Sequence, residues 1–189
     1  MRVLECLRDF DGKRVTSLAN FCDRGKPSAD ELKCLVDVSC SAEQKLRVAA
    51  TWMLKRYGEQ GVPLPQAQVS RLLRCWEGWE DWESTLHLLQ MLGSREIPET
   101  LFEATWNHCV TLTGSENKHS ENKHSENKHS EDKMVRAWAL NGLAHMGLQR
   151  SGYHSEALLH CRESLEDDSA AVRARARKLV KMLEKRVDV

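Results

Sequence analysis

The chain has 189 residues, and its 28 Lys or Arg residues balance its 28 Asp or Glu residues, so the formal charge at pH 7 is zero. This balance argues against a protein that binds nucleic acid or an anionic membrane mainly through an overall positive charge, because such domains carry a clear excess of basic residues. With 41% apolar and 30% charged residues, the composition is that of a folded globular chain. The length suits one domain or one short repeat array.

The sequence contains no segment that predicts export or membrane insertion. Residues 1–9 mix charged side chains among their apolar ones, which is not typical of a signal peptide. The longest strongly apolar stretch, residues 48–54, has seven residues, whereas a membrane-spanning helix needs about 20. We therefore expect a soluble protein with no membrane partner.

The cysteines predict neither a disulfide framework nor a zinc ribbon, because they occur singly, in an odd number and without a Cys-x-x-Cys pair. Most have apolar neighbours at helical spacing, which is typical of small core residues. A reducing, cytoplasmic environment fits this pattern best. The seven cysteines are Cys6, Cys22, Cys34, Cys40, Cys75, Cys109 and Cys161.

Helical signals run through the whole chain, while alternating strand patterns and hairpin turns are almost absent. Ser28 with Glu31, and Ser41 with Gln44, match the capping box of a helix start. The sequence therefore predicts an all-α protein. The predicted helices lie at residues 2–9, 13–23, 28–39, 41–57, 65–77, 80–92, 98–113, 131–147, 152–166 and 168–186.

Four of these helices share one pattern of small and apolar residues at offsets 0, 3, 4, 7, 8 and 11, the stripe of an amphipathic helix. The copies begin at residues 46, 82, 135 and 172, and the copy at residue 82 is the faintest. Their starting positions are 36, 53 and 37 residues apart. The middle interval is therefore the anomalous one.

A low-complexity insertion accounts for the long interval. Residues 115–130 contain Glu-Asn-Lys-His-Ser three times in tandem. Every residue in them is polar, and a five-residue repeat cannot hold one face of a helix, so we predict a disordered loop. Without the 15 residues of the three copies, the interval of 53 becomes 38 and the period is nearly constant.

A period near 37 residues with two short helices per unit is typical of α-solenoids. Residues 135–140, Val-Arg-Ala-Trp-Ala-Leu, and residues 168–176 resemble the second helix of HEAT repeats, in which Val-Arg and small residues follow a turn aspartate. Residues 46–50 are similar but lack the aspartate. The resemblance implies one right-handed α-solenoid domain over residues 1–189, with about five antiparallel helix pairs and a weakly defined helical cap at residues 1–27.

Arg47, Arg136 and Arg173 occupy equivalent positions in three of the units. In HEAT-like stacks such arginines pair with turn aspartates and with carbonyl groups at helix ends, because the planar guanidinium matches both. The resemblance therefore implies a structural role for these three side chains rather than contact with a ligand.

Residues 76–83 hold three of the six tryptophans and four acidic residues. One interpretation is a recognition surface formed by Trp76, Trp79, Asp81 and Trp82, which would bind a cationic or apolar group. We favour the alternative, in which the tryptophans fill the space between two helices and the acidic residues favour a helix N-terminus. HEAT-like alkylpurine DNA glycosylases use a trio that Trp79, Asp81 and Trp82 would imitate, but the acidic charge would repel phosphates.

The last 20 residues contain seven Lys or Arg and two Asp or Glu, a net charge of +5. Arg173, Arg175, Arg177 and Lys181 belong to this basic helix, which would contact nucleic acid or an acidic protein in a salt-dependent manner. We favour the alternative of a terminal capping helix, whose outer face is polar because no further unit covers it.

The sequence carries no motif that requires catalysis or a cofactor. Three histidines (His119, His124, His129) lie in the insertion, and only His154, His160 and Cys161 approach metal-ligand spacing. A phosphate-binding glycine loop and a Gly-x-Ser-x-Gly elbow are both absent from the sequence. We therefore expect no metal site and no enzyme.

The sequence predicts a non-catalytic protein-interaction module, because stacked helix pairs present an extended face to a partner. The alternative is a nucleic-acid-binding protein, motivated by the basic last helix and the tryptophan segment. A third hypothesis, an enzyme of the HEAT-like bilin lyase type, depends on fold resemblance alone.

Overall fold

The computed structural model describes residues 2–114 and 133–185, which form ten α-helices and no strand. This confirms the all-α prediction, and every helix end lies within three residues of its predicted position. Short 3-10 turns flank α9 on both sides. The predicted disordered insertion, residues 115–130, lies outside the described residues. The helices are α1 (Arg2–Arg8), α2 (Thr16–Cys22), α3 (Ala29–Ser39), α4 (Gln44–Glu59), α5 (Gln66–Trp76), α6 (Trp82–Leu92), α7 (Glu99–Thr113), α8 (Lys133–Gln149), α9 (His154–Glu163) and α10 (Ala170–Glu184).

One of the two predicted capping boxes is present. The Ser28 hydroxyl accepts a hydrogen bond from the Glu31 backbone N–H at 3.2 Å, and the Glu31 carboxylate accepts one from the Ser28 N–H at 2.8 Å. The box predicted for Ser41 and Gln44 is wrong, because α4 begins at Gln44 itself. Ser41 instead lies in the turn before α4, where its carbonyl oxygen accepts a hydrogen bond from Arg47.

The chain divides into two compact units, Met1–Ser94 with α1 to α6 and Arg95–Val189 with α7 to α10. In the first unit, α4 packs against α2, α3 and α6, and α5 packs against α3. In the second unit, α8 packs against α7, α9 and α10. Each unit therefore has one central helix, α4 or α8, that packs against most of the other helices of that unit.

Most positions of the predicted stripe are buried in α4, α8 and α10. The half-buried positions are Leu46, Trp138, Arg175 and Val180. In α6 the register differs, because Trp82 at the predicted start of the stripe is exposed. Arg47, Arg136 and Arg173 are each the fourth residue of their helix, and Thr85 is the fourth residue of α6. Aligned by helix starts, the copy in α6 therefore begins at Ser84, two residues later than predicted.

Four cysteines, Cys22, Cys34, Cys109 and Cys161, are buried as predicted. The prediction of no disulfide is wrong for Cys40 and Cys75, which form one across a Cα–Cα distance of 5.5 Å. They lie 35 residues apart, close to one repeat period, at the end of α3 and in α5. The disulfide also removes the main support for a reducing, cytoplasmic environment.

A helix that crosses a bilayer needs about 20 predominantly apolar residues. None of the ten helices within residues 2–114 and 133–185 is long and apolar enough to do so. The longest, α8, has 17 residues.

Candidate functional site

Residues 76–83, the tryptophan segment, connect α5 to α6. Trp76 ends α5 and is 2% exposed, and Trp79 in the connection is 7% exposed. Trp82, the first residue of α6, is the accessible member of the three, at 42%. The recognition surface predicted from Trp76, Trp79, Asp81 and Trp82 is therefore not formed. Trp76 and Trp79 are instead core residues, in keeping with the alternative interpretation that the tryptophans have a structural role.

Asp81 precedes α6 and is buried. Its Oδ2 accepts a hydrogen bond from Nε of Arg47 at 2.6 Å, and its Oδ1 accepts one from the Ser84 backbone N–H at 2.8 Å. Arg47 is also buried and donates from Nη1 to the Ser41 carbonyl oxygen at 2.9 Å. Both oxygens of the carboxylate therefore have internal partners. The catalytic trio implied by the glycosylase resemblance does not assemble around it.

The second unit contains the same kind of ion pair. Nη2 of Arg136 donates to Oδ2 of Asp167, whose Oδ1 accepts from the Ser169 backbone N–H at 2.8 Å. Arg173 donates from Nη1 to the carbonyl oxygens of Asp167 at 2.5 Å and Asp168 at 2.9 Å. In each unit, then, the fourth residue of a central helix reaches an aspartate just before a helix packed against it. These contacts occupy all three predicted repeat arginines.

The basic helix α10 divides into a buried and an exposed side. Val172, Ala176, Leu179 and Leu183 are buried against the rest of the second unit. The described cations on the exposed side are Arg177, Lys178, Lys181 and Lys185, and we call these four residues the basic face. Of the four candidate residues predicted here, Arg177 and Lys181 belong to this face, while Arg173 is held by the turn before α10.

The fourth candidate, Arg175, stacks on an aromatic ring that the sequence did not single out as a site. Its guanidinium carbon lies 4.0 Å from the centroid of Trp138 on α8, a cation–π contact. Its Nη1 also donates to Oδ1 of buried Asn141 at 3.2 Å. The repeated pattern could have predicted this contact, because Trp138 and Arg175 occupy the same offset in the copies on α8 and α10. Helices α8 and α10 pack side by side, so equivalent residues meet.

Two histidines are half-buried: His87 on α6, which packs against α4, and His145 on the central helix α8. Burial, and then the charge of Lys55, lowers the pKa of His87 to about 4, although Asp81 acts in the opposite direction. Nδ1 of His87 lies 3.0 Å from the hydroxyl oxygen of Thr51. Burial and the charge of Arg175 also lower the pKa of His145. Both imidazoles are therefore neutral at pH 7.

A polar cavity of about 460 Å³ lies between α1 and α2 in the first unit. Its lining mixes two arginines with two acidic residues, so the cavity has no dominant charge. Burial raises the pKa of the Cys6 thiol, which keeps that sulfur protonated and weakly nucleophilic at neutral pH. The lining residues are Arg2, Glu5, Cys6, Asp9, Ser17, Asn20, Phe21 and Arg24.

The described part of the chain brings no three His, Cys, Asp or Glu side chains together as metal ligands. Of the residues with some ligand spacing, His154 donates from Nε2 to the carbonyl oxygen of Leu183 at 3.1 Å. Burial raises the pKa of the Cys161 thiol to about 12, so this sulfur is not a thiolate. The three histidines of the insertion lie outside the described residues.

The best-defined surface feature is therefore the basic face with the neighbouring Trp138–Arg175 pair. No protein-family model, curated protein or solved structure matches this chain.

Proposed function

We propose that this protein is a HEAT-like helical-repeat module that binds another protein and has no catalytic activity of its own. In this proposal about five helix pairs stack as a right-handed α-solenoid. The observation that carries the proposal is the arginine–aspartate pair, which occurs at the same helical position in each compact unit.

Long-range polar contacts support a repeat near 37 residues. Arg47 and Asp81 are 34 residues apart, Arg136 and Asp167 are 31 apart, and Cys40 and Cys75 are 35 apart. Contacts one period apart are expected when each unit of a solenoid packs on its neighbour. Further pairs of this kind are Arg8 with Lys45 at 37 residues, Thr51 with His87 at 36, and Asn141 with Arg175 at 34.

Protein binding follows from the architecture proposed. Stacked units place successive helices side by side, and the resulting surface is long enough to receive an extended partner. The buried tryptophans and the engaged Asp81 take no part in such a surface. The accessible Trp82 in the first unit and the basic face of α10 in the second unit are two separate candidate contact positions.

In-cell photo-crosslinking of the full chain tests the proposal. A benzophenone amino acid would replace Leu86 on α6 or Ala174 on α10, with Lys33 on α3 and Arg74 on α5 as positions on other helices. We expect a discrete protein adduct from at least one position on α6 or α10. If none of the four positions yields a protein adduct, the proposed function is wrong.

Nucleic-acid binding is the second candidate, and the exposed cations beside Trp138 are the observation that favours it. A gel-shift titration at two salt concentrations tests it. This candidate predicts binding at low salt that weakens steeply as salt rises, and a smaller salt dependence for Arg177→Glu. Absence of binding at low salt eliminates it.

A further inference from the structure

We infer that the basic face of α10, with the adjoining Trp138–Arg175 pair, is the surface that binds the partner, and that the partner contributes an acidic helix. This inference rests on the proposed function and adds the location of the site and the chemistry of the ligand. It uses Arg177, Lys178, Lys181 and Lys185 for charge and Trp138 with Arg175 for apolar and stacking contact.

The cations are contiguous along the helix. Lys178 follows Arg175 by three residues and Lys181 follows Lys178 by three, so these side chains are neighbours on one surface. Lys185 continues the row one turn later. From Arg177 to Lys185 the row extends about 12 Å along the helix axis. The row therefore has the length of about two helical turns of a partner.

The one acidic residue of α10 is Glu184 at its last position. Residues 170–183 contain no Asp or Glu. Glu184, the acidic residue that follows, accepts a hydrogen bond from Nη2 of Arg162 on α9 at 2.8 Å. Like-charged neighbours three and four residues apart destabilise a helix slightly, by about 0.2–0.5 kcal/mol per pair. A partner with opposite charge would remove that repulsion.

The Trp138–Arg175 pair supplies an anchor beside the row. The ring of Trp138 and the amide of Asn141 hold the guanidinium of Arg175 from two sides. A side chain that is already fixed loses little conformational entropy when a partner binds. Tryptophan and arginine are also the residues that most often dominate the binding energy of protein interfaces.

An acidic helix fits this surface better than nucleic acid does. The formal charge of the whole chain is zero, so the protein lacks the broad positive field that concentrates nucleic acid on a binding domain. Arg175 already covers one side of the Trp138 ring, which leaves less of it for base stacking. Carboxylates four residues apart on a helix are about 6 Å apart, matching the spacing of Arg177, Lys181 and Lys185.

The test places the benzophenone amino acid at Ala174, which is exposed beside the basic face, and compares three full-length chains in cells. The first is otherwise unchanged, the second carries Lys178→Glu and Lys181→Glu, and the third carries Lys33→Glu and Arg74→Glu. The third chain changes the net charge equally, at exposed residues of α3 and α5. Thermal unfolding of the purified chains verifies that all three are folded.

We expect the first chain to cross-link to a protein, at a peptide with Asp or Glu at helical spacing. The yield of that adduct should fall about tenfold or more in the second chain and change less than about twofold in the third. A cross-link to nucleic acid, a partner peptide without acidic residues, or equal yields in the second and third chains overturns the inference.

The same positions separate this inference from the proposed function. An adduct at Leu86 without one at Ala174 shows that the protein binds a partner elsewhere, so the inference fails and the proposed function stands. Absence of an adduct at Ala174, Leu86, Lys33 and Arg74 contradicts both.

Discussion

Two regions of this protein combine tryptophan with a high density of charge, but one is largely buried and the other is largely exposed. In the tryptophan segment, Trp76 and Trp79 enter the core and Asp81 forms a buried ion pair. On α10, the cations of the basic face point away from the buried stripe and are exposed. The difference shows that position relative to a helix stripe decides whether such residues stabilise the fold or face solvent, whereas local composition does not.

The largest expected effect comes from breaking the ion pair of the tryptophan segment. Asp81→Ala leaves the guanidinium of Arg47 buried without its carboxylate and removes the cap of α6. We expect the free energy of unfolding in urea to fall by about 3–5 kcal/mol. Asp168→Ala, at an exposed aspartate in the turn before α10, is the control and should change it by less than about 0.5 kcal/mol. Equal effects of the two substitutions would contradict a structural role for Asp81.

The disulfide next to the tryptophan segment should have the second largest effect. Cys75→Ser, with Cys40 also replaced by Ser, opens a closed loop of 35 residues, and we expect a loss of about 2–4 kcal/mol. Reductant should lower the unfolding midpoint of the unchanged protein and leave that of the double variant unaffected. If reductant affects neither protein, the two sulfurs are not bonded in solution.

His87 on α6 should make the stability of the protein depend on pH. Its pKa of about 4 lies below the ordinary value of 6.5, so the unfolded chain binds the proton more readily. The resulting stability is fully present above pH 6.5 and is lost as the pH falls towards 4, by about 2–3 kcal/mol. His87→Gln should flatten this part of the pH profile, which thermal unfolding between pH 4 and 7 measures. A profile unchanged from that of the parent protein would rule out a buried neutral His87.

Helix α8 approaches α9 closely at Gly147. A Cβ atom at Gly147 would lie 2.6 Å from the Cβ atom of Ala157 and 3.2 Å from the Tyr153 carbonyl oxygen. Gly147→Ala should therefore destabilise the protein by about 1–3 kcal/mol. Gly152→Ala, where a Cβ meets nothing within 4 Å, is the matched control. Similar unfolding midpoints for the two variants would show that the helices are farther apart.

The smallest effect on stability is expected on the basic face. Lys178→Glu with Lys181→Glu changes exposed side chains, and the free energy of unfolding should change by less than about 0.5 kcal/mol per substitution. This double charge reversal should lower the free energy of unfolding much less than Asp81→Ala, which removes one buried carboxylate. A loss of several kcal/mol would place these lysines inside an intramolecular contact.

The sequence predicted the local part of this fold well. Helix positions follow from caps, glycines and apolar periodicity, which are properties of neighbouring residues, and so all ten helices of residues 2–114 and 133–185 were predicted. Partners distant in sequence were harder to predict. The disulfide of Cys40 with Cys75 and the stacking of Arg175 on Trp138 were not predicted, because both depend on which helices pack together.

The repeat period contained part of that missing information. Residues separated by one period face each other across packed helices, as Cys40 and Cys75 do at 35 residues. Trp82 shows the limit of the approach, since a two-residue error in register moved an exposed residue onto the predicted core stripe. Helix starts, which set the register, were on the whole predicted less accurately than helix ends.

A double-mutant cycle on Arg47 and Asp81 tests the central claim most directly, namely that a repeated arginine–aspartate pair joins neighbouring helices of this protein. Unfolding free energies of the parent, Arg47→Ala, Asp81→Ala and the double variant give the coupling energy. We predict a coupling of about 2 kcal/mol or more, and a smaller favourable coupling for the more exposed Arg136 and Asp167. If the single effects of Arg47→Ala and Asp81→Ala add within about 0.5 kcal/mol, the pair does not stabilise the fold and the claim is contradicted.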